Sequence, residues 1–301
     1  MARWTGVFPA TTTQFTADGT LDVASTQRVA DGLIRDGVDG IICMGTVGEN
    51  CSLQAEEKRR ILEALKEAVA GRVPLLSGVA ELTTDQAAAY AREAETIGID
   101  GLMVLPAMVY KASQREVAHH FRKVAAATGL PIMLYNNPVS YDIDVTVETC
   151  AALAEIANIV AIKESTEDTR RLIDLQNALG DRYALFAGVD DIALESLALG
   201  ACGWVSGLTN AFPAESVALF KLAEAGRYEE ALALYRWFMP LLHLDTLPTL
   251  VQCIKLAEQI MGRGAEHVRE PRLPLEGEAR AMVERTVEEA LADRPQLPAD
   301  L

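Results

Sequence analysis

Hydrophobic and polar positions along the chain repeat as a unit: a short apolar run, a loop of Gly, Asn, Ser and Thr, then an amphipathic stretch at helical spacing. Eight apolar runs fit this pattern: GVFPATTT (6–13), DGIICMG (39–45), VPLLSGVA (73–80), DGLMVLP (100–106), LPIMLYNNP (130–138), IVAIKES (159–165), YALFAGV (183–189) and GWVSG (203–207). They lack the polar alternation of a half-exposed strand, so both faces of each are expected to be covered. Between them, QAEEKRRILEALKEAVAG sets Ile61, Leu62, Leu65 and Val69 on one helical face and stops at Gly71. TTDQAAAYAREAETIG opens on a threonine able to cap and closes on Gly98. Strands alternating with helices imply parallel pairing, and eight such units predict a (β/α)8 TIM barrel. A doubly wound sheet would want G-x-G-x-x-G after its first strand, and the chain has none there.

After the eighth run the pattern is almost continuously helical, with breaks expected at Gly226, Pro240 and Pro248 and no further strand. The chain is therefore divided into a barrel carrying the active site, residues 1–225, and a C-terminal helical domain, residues 226–301. Half of the 301 residues are hydrophobic, enough for a large core, yet no apolar run approaches the ~18 residues of a membrane span. The opening MARWTGVFPATTT has no apolar export core, so a cytoplasmic protein is expected. A net charge of −16 repels phosphate backbones, and no Lys/Arg stripe offsets it, which argues against nucleic acid as a partner. The five cysteines lack C-x-x-C spacing and the four histidines lack a paired helical face, so no metal or cofactor is expected.

In such a barrel the chemistry sits at the C-terminal ends of the strands. Four ends carry reactive groups: MGTVGEN, YNNP, IKES and GVDD. Lys163 ends an otherwise apolar strand. Partial desolvation would lower its ammonium pKa toward that of a nucleophilic amine able to form a Schiff base with a ketone. Taken alone, it could equally pair with Glu164 or another acid at the rim. Tyr135 lies one repeat upstream, 28 residues away, so neighbouring parallel strands would set it at similar height, where a phenol can shuttle protons for the amine. Thr46 adds a hydroxyl, and Gly45, Val47 and Gly48 offer backbone N–H groups suited to a carboxylate, although a short glycine turn is also ordinary loop structure.

Together these motifs resemble the dihydrodipicolinate synthase / N-acetylneuraminate lyase family over nearly the whole chain: GTVGEN resembles its G-[TS]-T-G-E loop, YNNP its Y-N-x-P and IKES its I-K-[ED]-[AS]. The resemblance implies a barrel with a helical C-terminal domain, usually a homotetramer built as a pair of dimers, and a lysine imine with pyruvate or another 2-oxo acid. It makes Lys163 the Schiff-base lysine, Tyr135 the proton-transfer phenol, and Thr46 its relay partner and part of the carboxylate site. Val47 stands where many members carry a second hydroxyl residue. No arginine follows YNNP, where dihydrodipicolinate synthases hold their aldehyde substrate; YNNPVSYDID offers Ser140 and Tyr141 instead. The segment that lends a tyrosine across the dimer interface reads LPAMVYKAS, with Met108 at the expected place and Tyr110 as a substitute. In the sialic acid lyases an acidic pair resembling Asp190-Asp191 binds substrate hydroxyls; Asp191 could instead cap the following helix. Ser206 and Asn210 are placed on the same rim.

The resulting expectation is a class I lyase that cleaves or dehydrates a hydroxylated 2-oxo acid, with no cofactor and no membrane partner. Deamination of a hydroxy-pyrroline carboxylate, dihydrodipicolinate synthesis and a catalytically silent regulatory barrel are the alternatives.

Overall fold

A computed structural model describes residues 4–107 and 109–301. All eight apolar runs contain a strand: β1 (Gly6–Pro9), β2 (Ile41–Cys43), β3 (Leu75–Val79), β4 (Gly101–Val104), β5 (Ile132–Asn136), β6 (Ile159–Glu164), β7 (Ala184–Ala187) and β8 (Gly203–Ser206). They pair in parallel in sequence order, and β1 pairs with β8. A bridge between Ala10 and Ile42 and the bonds Asp39 N→Val7 O (2.9 Å) and Thr11 N→Ile42 O (2.8 Å) join β1 to β2, closing a (β/α)8 barrel.

The absence of polar alternation in the strands has a direct cause. One parity of each strand fills the barrel interior: Phe8, Ile42, Leu76, Met103, Met133, Ala161, Phe186 and Val205. The other faces the helical layer: Val7, Ile41, Leu75, Leu102, Leu134, Ile162, Leu185 and Trp204. The period-two alternation of a strand is present, but both environments are apolar. Burying each such large side chain contributes about 1.5–3 kcal/mol. Helices form where the periodicity places them, at Ala55–Val69 and Thr84–Ile97. The second starts with the Thr83 side chain accepting from Gln86 N and stops at Gly98, whose φ of 84° suits a residue without Cβ.

The helix Pro213–Glu224 packs beside β1, followed by Tyr228–Leu242, Leu250–Ile260 and Gly277–Ala292. Gly226 separates the first two at φ 70°. Pro240, expected to break its helix, lies inside it, in the last turn, and the helix runs on to Leu242. There the missing N–H forfeits one bond near an end that is already weakly held. Beyond Ile260 the chain returns to the barrel mouth. Arg269 donates to Gly19 O, Ser52 O and Glu57, fastening the tail to the loops after β1 and β2 and to the helix Ala55–Val69.

Candidate active site

Register and parity bring Lys163 and Tyr135 together. In the β5–β6 ladder Met133 pairs with Ala161 and Tyr135 with Lys163. Each of the latter lies two residues beyond an interior-facing partner, so both side chains point up the axis into the mouth. Lys163 Nζ sits 4.0 Å from the centroid of the Tyr135 ring, and both residues are buried. Among the described residues Lys163 makes no hydrogen bond and no ion pair. Glu164, on the opposite parity, is engaged elsewhere: its carboxylate accepts from Asn136 Nδ2 (3.1 and 3.3 Å) and Thr166 N (2.9 Å). Burial lowers the Lys163 ammonium pKa, opposed by the charges of Tyr141, Asp245 and Asp190. Burial likewise pushes the Tyr135 phenol up to about 12, tempered by its bond from the Asn137 amide.

YNNP builds the next piece. Asn136 is fully buried and ties β5 to Asp144, Glu164 and Val145 N. Asn137 donates to Tyr135 Oη (3.0 Å) and accepts from Ser140 N (2.9 Å), capping the one-turn helix Pro138–Tyr141. That turn swings Tyr141 back over the mouth. Its hydroxyl hydrogen-bonds to Thr46 Oγ1, and its ring stands edge-on to Tyr135 with centroids 5.9 Å apart. Thr46 thus reaches Tyr135 through Tyr141, a residue the sequence offered only as a loop side chain. The usable signal was an Asn-Pro helix start, which fixes where the residue three positions after the proline will project.

In MGTVGEN the left-handed backbone positions are Met44 (φ 56°) and Glu49 (φ 53°), not the glycines. Gly48 is required for close approach instead: a Cβ there would lie 2.9 Å from Met44 N and 3.0 Å from Thr11 O. Gly45, Thr46 and Val47 line the cavity, and the Thr46 and Val47 amides donate to no described residue. Gly48 does not line it.

The remaining predicted residues separate. Asp190 is fully buried, with Oδ1 accepting from Trp204 Nε1 (3.0 Å) and Oδ2 from Ser206 Oγ (2.9 Å) and Leu208 N (3.0 Å). Burial lifts its pKa to about 6 against those donors. Asp190 and Ser206 therefore stand behind the cavity wall and hold each other. Asn210, also buried, donates to Ala10 O and Gly207 O and knits β1 to β8. Asp191 caps no helix; it bonds to His243 Nδ1 at 2.9 Å. Tyr110 is 56% exposed, donates to Glu116 and lines a separate outer groove with Leu82 and Val109, away from Lys163. Met108 lies outside the described residues.

The cavity holds about 450 Å³. Around it stand Lys163, Tyr135, Tyr141, Thr46, Ser165 and Glu167, roofed by Asp245 to Pro248 from the turn between two C-terminal helices. Its described lining contains no arginine, and Lys163 is its one cation. Asp245 is the second residue the sequence reading missed. Its signal was an acid in HLDTLP, where the helical pattern breaks.

Residues 3–290 match the model of the Dihydrodipicolinate synthetase family. A 4-hydroxy-tetrahydrodipicolinate synthase of Moorella thermoacetica is 34% identical over 278 residues, covering 92% of this chain and 94% of the relative. A crystal structure of a dihydrodipicolinate synthase from Bacillus anthracis superposes with a TM-score of 0.92 at 29% identity, covering 96% of this chain and 99% of that one. A prophage protein of E. coli K12 belonging to the dihydrodipicolinic acid synthase family, solved in complex with pyruvate, gives 0.91 at 30% identity, covering 96% and 99%. A barrel bearing a lysine at the end of β6, and a match across nearly its whole length, place this chain in the dihydrodipicolinate synthetase family of Schiff-base, pyruvate-dependent class I lyases.

Proposed function

We propose that the chain forms an imine between Lys163 and a hydroxylated 2-oxo acid, then cleaves or dehydrates it. The observation that carries this reading is the buried Lys163 amine, without an acceptor among the described residues, 4.0 Å from the Tyr135 ring and lining a cavity. A lysine held this way is present in part as the neutral nucleophile. Tyr135 passes protons to and from the carbinolamine, and Tyr141 and Thr46 extend that path toward the loop after β2. The Thr46 and Val47 amides, beside Gly45, hold the substrate carboxylate. The protonated imine then withdraws electrons from the next carbon.

A second reading, 4-hydroxy-tetrahydrodipicolinate synthesis, is favoured by the name of the Moorella thermoacetica relative. Against it, the described cavity lining carries the acid Glu167 and, beyond Lys163, no cation, so a second carboxylate would find no arginine to hold it. Borohydride reduction with pyruvate tests the common step: an adduct on Lys163 supports it, and no adduct with any 2-oxo acid overturns it. Turnover of aspartate semialdehyde with pyruvate would decide for the second reading.

The helices of residues 226–301 serve, in this reading, as the domain that supplies the cavity roof. Exposed Leu82, Val109 and Tyr110 suit contact between copies in a homotetramer, which mass photometry tests. No helix of the described residues is long and apolar enough to cross a membrane, consistent with work in the cytoplasm.

A further inference from the structure

Asp245 and Lys163 line one cavity yet form no ion pair, which leaves a gap between acid and amine open to a substrate. Behind Asp245 stands Asp190, within hydrogen-bonding reach. The two carboxyls are treated unequally. Asp190 accepts from Trp204 Nε1, Ser206 Oγ and Leu208 N, all of which favour its ionised form. Asp245 has one oxygen, Oδ1, buried without a donor among the described residues. That oxygen lies against Gly207, where a Cβ would approach to 2.2 Å, so the glycine is a condition of its placement. Two adjoining carboxyls do not both ionise readily, and the three donors decide that Asp190 keeps the charge while Asp245 keeps the proton.

We propose that Asp245 is the general acid of a dehydration, delivering its proton to a hydroxyl on C4 of a 2-oxo acid held as the Lys163 imine. This rests on the Schiff-base reading and deepens it by choosing water loss over carbon–carbon cleavage, which would need a base at that hydroxyl. The amine adds to C2 and water leaves as the imine forms. Tyr135 gives its proton to that departing water and then, as the phenolate, takes a proton from C3, giving the enamine. The nitrogen lone pair then re-forms the protonated imine, the C2=C3 electrons move outward to form C3=C4, and the C4–O bond breaks; the oxygen leaves with its electron pair and the Asp245 proton, as water. Hydrolysis of the imine consumes one water and frees an unsaturated 2-oxo acid, so the net change is loss of one water with no oxidation. Burial and the charge of Asp190 raise Asp245 well above the usual carboxylate range, consistent with a donor at neutral pH. The other groups facing it are Lys163, Asp191, Tyr135 and Cys253.

The test uses the full chain and a panel of 2-keto-3-deoxy sugar acids, with water loss and pyruvate both followed by mass spectrometry. The wild type is expected to release the dehydrated acid and not pyruvate, at a rate that falls as pH rises and Asp245 ionises. Asp245→Asn should still trap the intact substrate on Lys163 with borohydride, while losing water about 10²–10⁴-fold more slowly. Asp190→Asn, by removing the neighbouring charge, should move the fall in rate to lower pH. Pyruvate release by the wild type overturns the proposal and needs no variant to fold. So does an Asp245→Asn enzyme that dehydrates at the wild-type rate, or one that no longer traps substrate, which would make Asp245 a counter-ion of the amine. If the wild type traps no 2-oxo acid, the Schiff-base reading falls and this proposal with it.

Discussion

Of the three lysines buried among the described residues, Lys58 pairs with Asn50 and Glu81, and the other two, Lys255 and Lys163, have opposite fates. Lys255, between the C-terminal helices and the barrel, is fully enclosed. It donates to Glu49 Oε1 (2.9 Å), Thr13 O (2.8 Å) and His267 O, and stands 4.6 Å from the Phe15 ring centroid. Lys163 is nearly as buried but has a tyrosine ring and a cavity in place of acceptors. Burial lowers both ammonium pKa values. Depth and a depressed pKa therefore do not distinguish a nucleophile from a tie. What distinguishes them is whether the three N–H donors are already committed: a saturated ammonium holds three loops together, whereas an unsaturated one is left to react.

The comparison breaks most sharply at the two lysines themselves. Lys163→Met should lower turnover by roughly 10⁴-fold or more while leaving the fold intact, as read by activity and circular dichroism. Lys255→Met should do the reverse. It leaves the Glu49 carboxylate in the interior without its cation and should cost about 3–5 kcal/mol in urea unfolding, while the folded fraction still traps pyruvate on Lys163.

A finer separation concerns the tyrosines. Tyr141→Phe removes the hydroxyl bonded to Thr46 and should lower turnover by about 10²-fold. Tyr110→Phe, on the outer groove, should leave it unchanged. The reverse ranking would transfer the relay to Tyr110 and sink the role given to Tyr141.

The smallest expected effect is one of pH. Lys163 has a folded pKa below its ordinary value of 10.5, so the unfolded chain binds more protons at this site between the two values. The cost of burying the ammonium is present in full below the folded pKa and fades as pH rises toward 10.5. Lys163→Met should therefore stabilise the protein at neutral pH, and the gain should shrink by pH 10. A gain independent of pH would mean that packing, not desolvation of charge, limits stability there.

How much of this was legible beforehand differs by residue. The eight strands were readable because each run had to be apolar on both faces. Lys163 and Tyr135 were readable because a parallel register one repeat apart sets their height. The departures lie in loops. Gly45 and Gly48 were offered together as backbone donors to a carboxylate, but only Gly45 lines the cavity, and the left-handed positions fall at Met44 and Glu49; Glu49 is held there by Lys255 from 206 residues away. Asp190 and Ser206 looked like rim groups, yet they bond to each other behind the wall.

The sequence by itself determined the barrel, its order and the pairing of amine with phenol, because local periodicity and strand parity suffice for those. Only the tertiary structure decided that Thr46 meets Tyr141 across 95 residues, and that Asp245 from the helical tail faces Asp190 and the Lys163 cavity. Those contacts join loops from different strands and helices. Their distances are set by closure of the barrel and by the return of the C-terminal chain over its mouth, and no local pattern of residues encodes either.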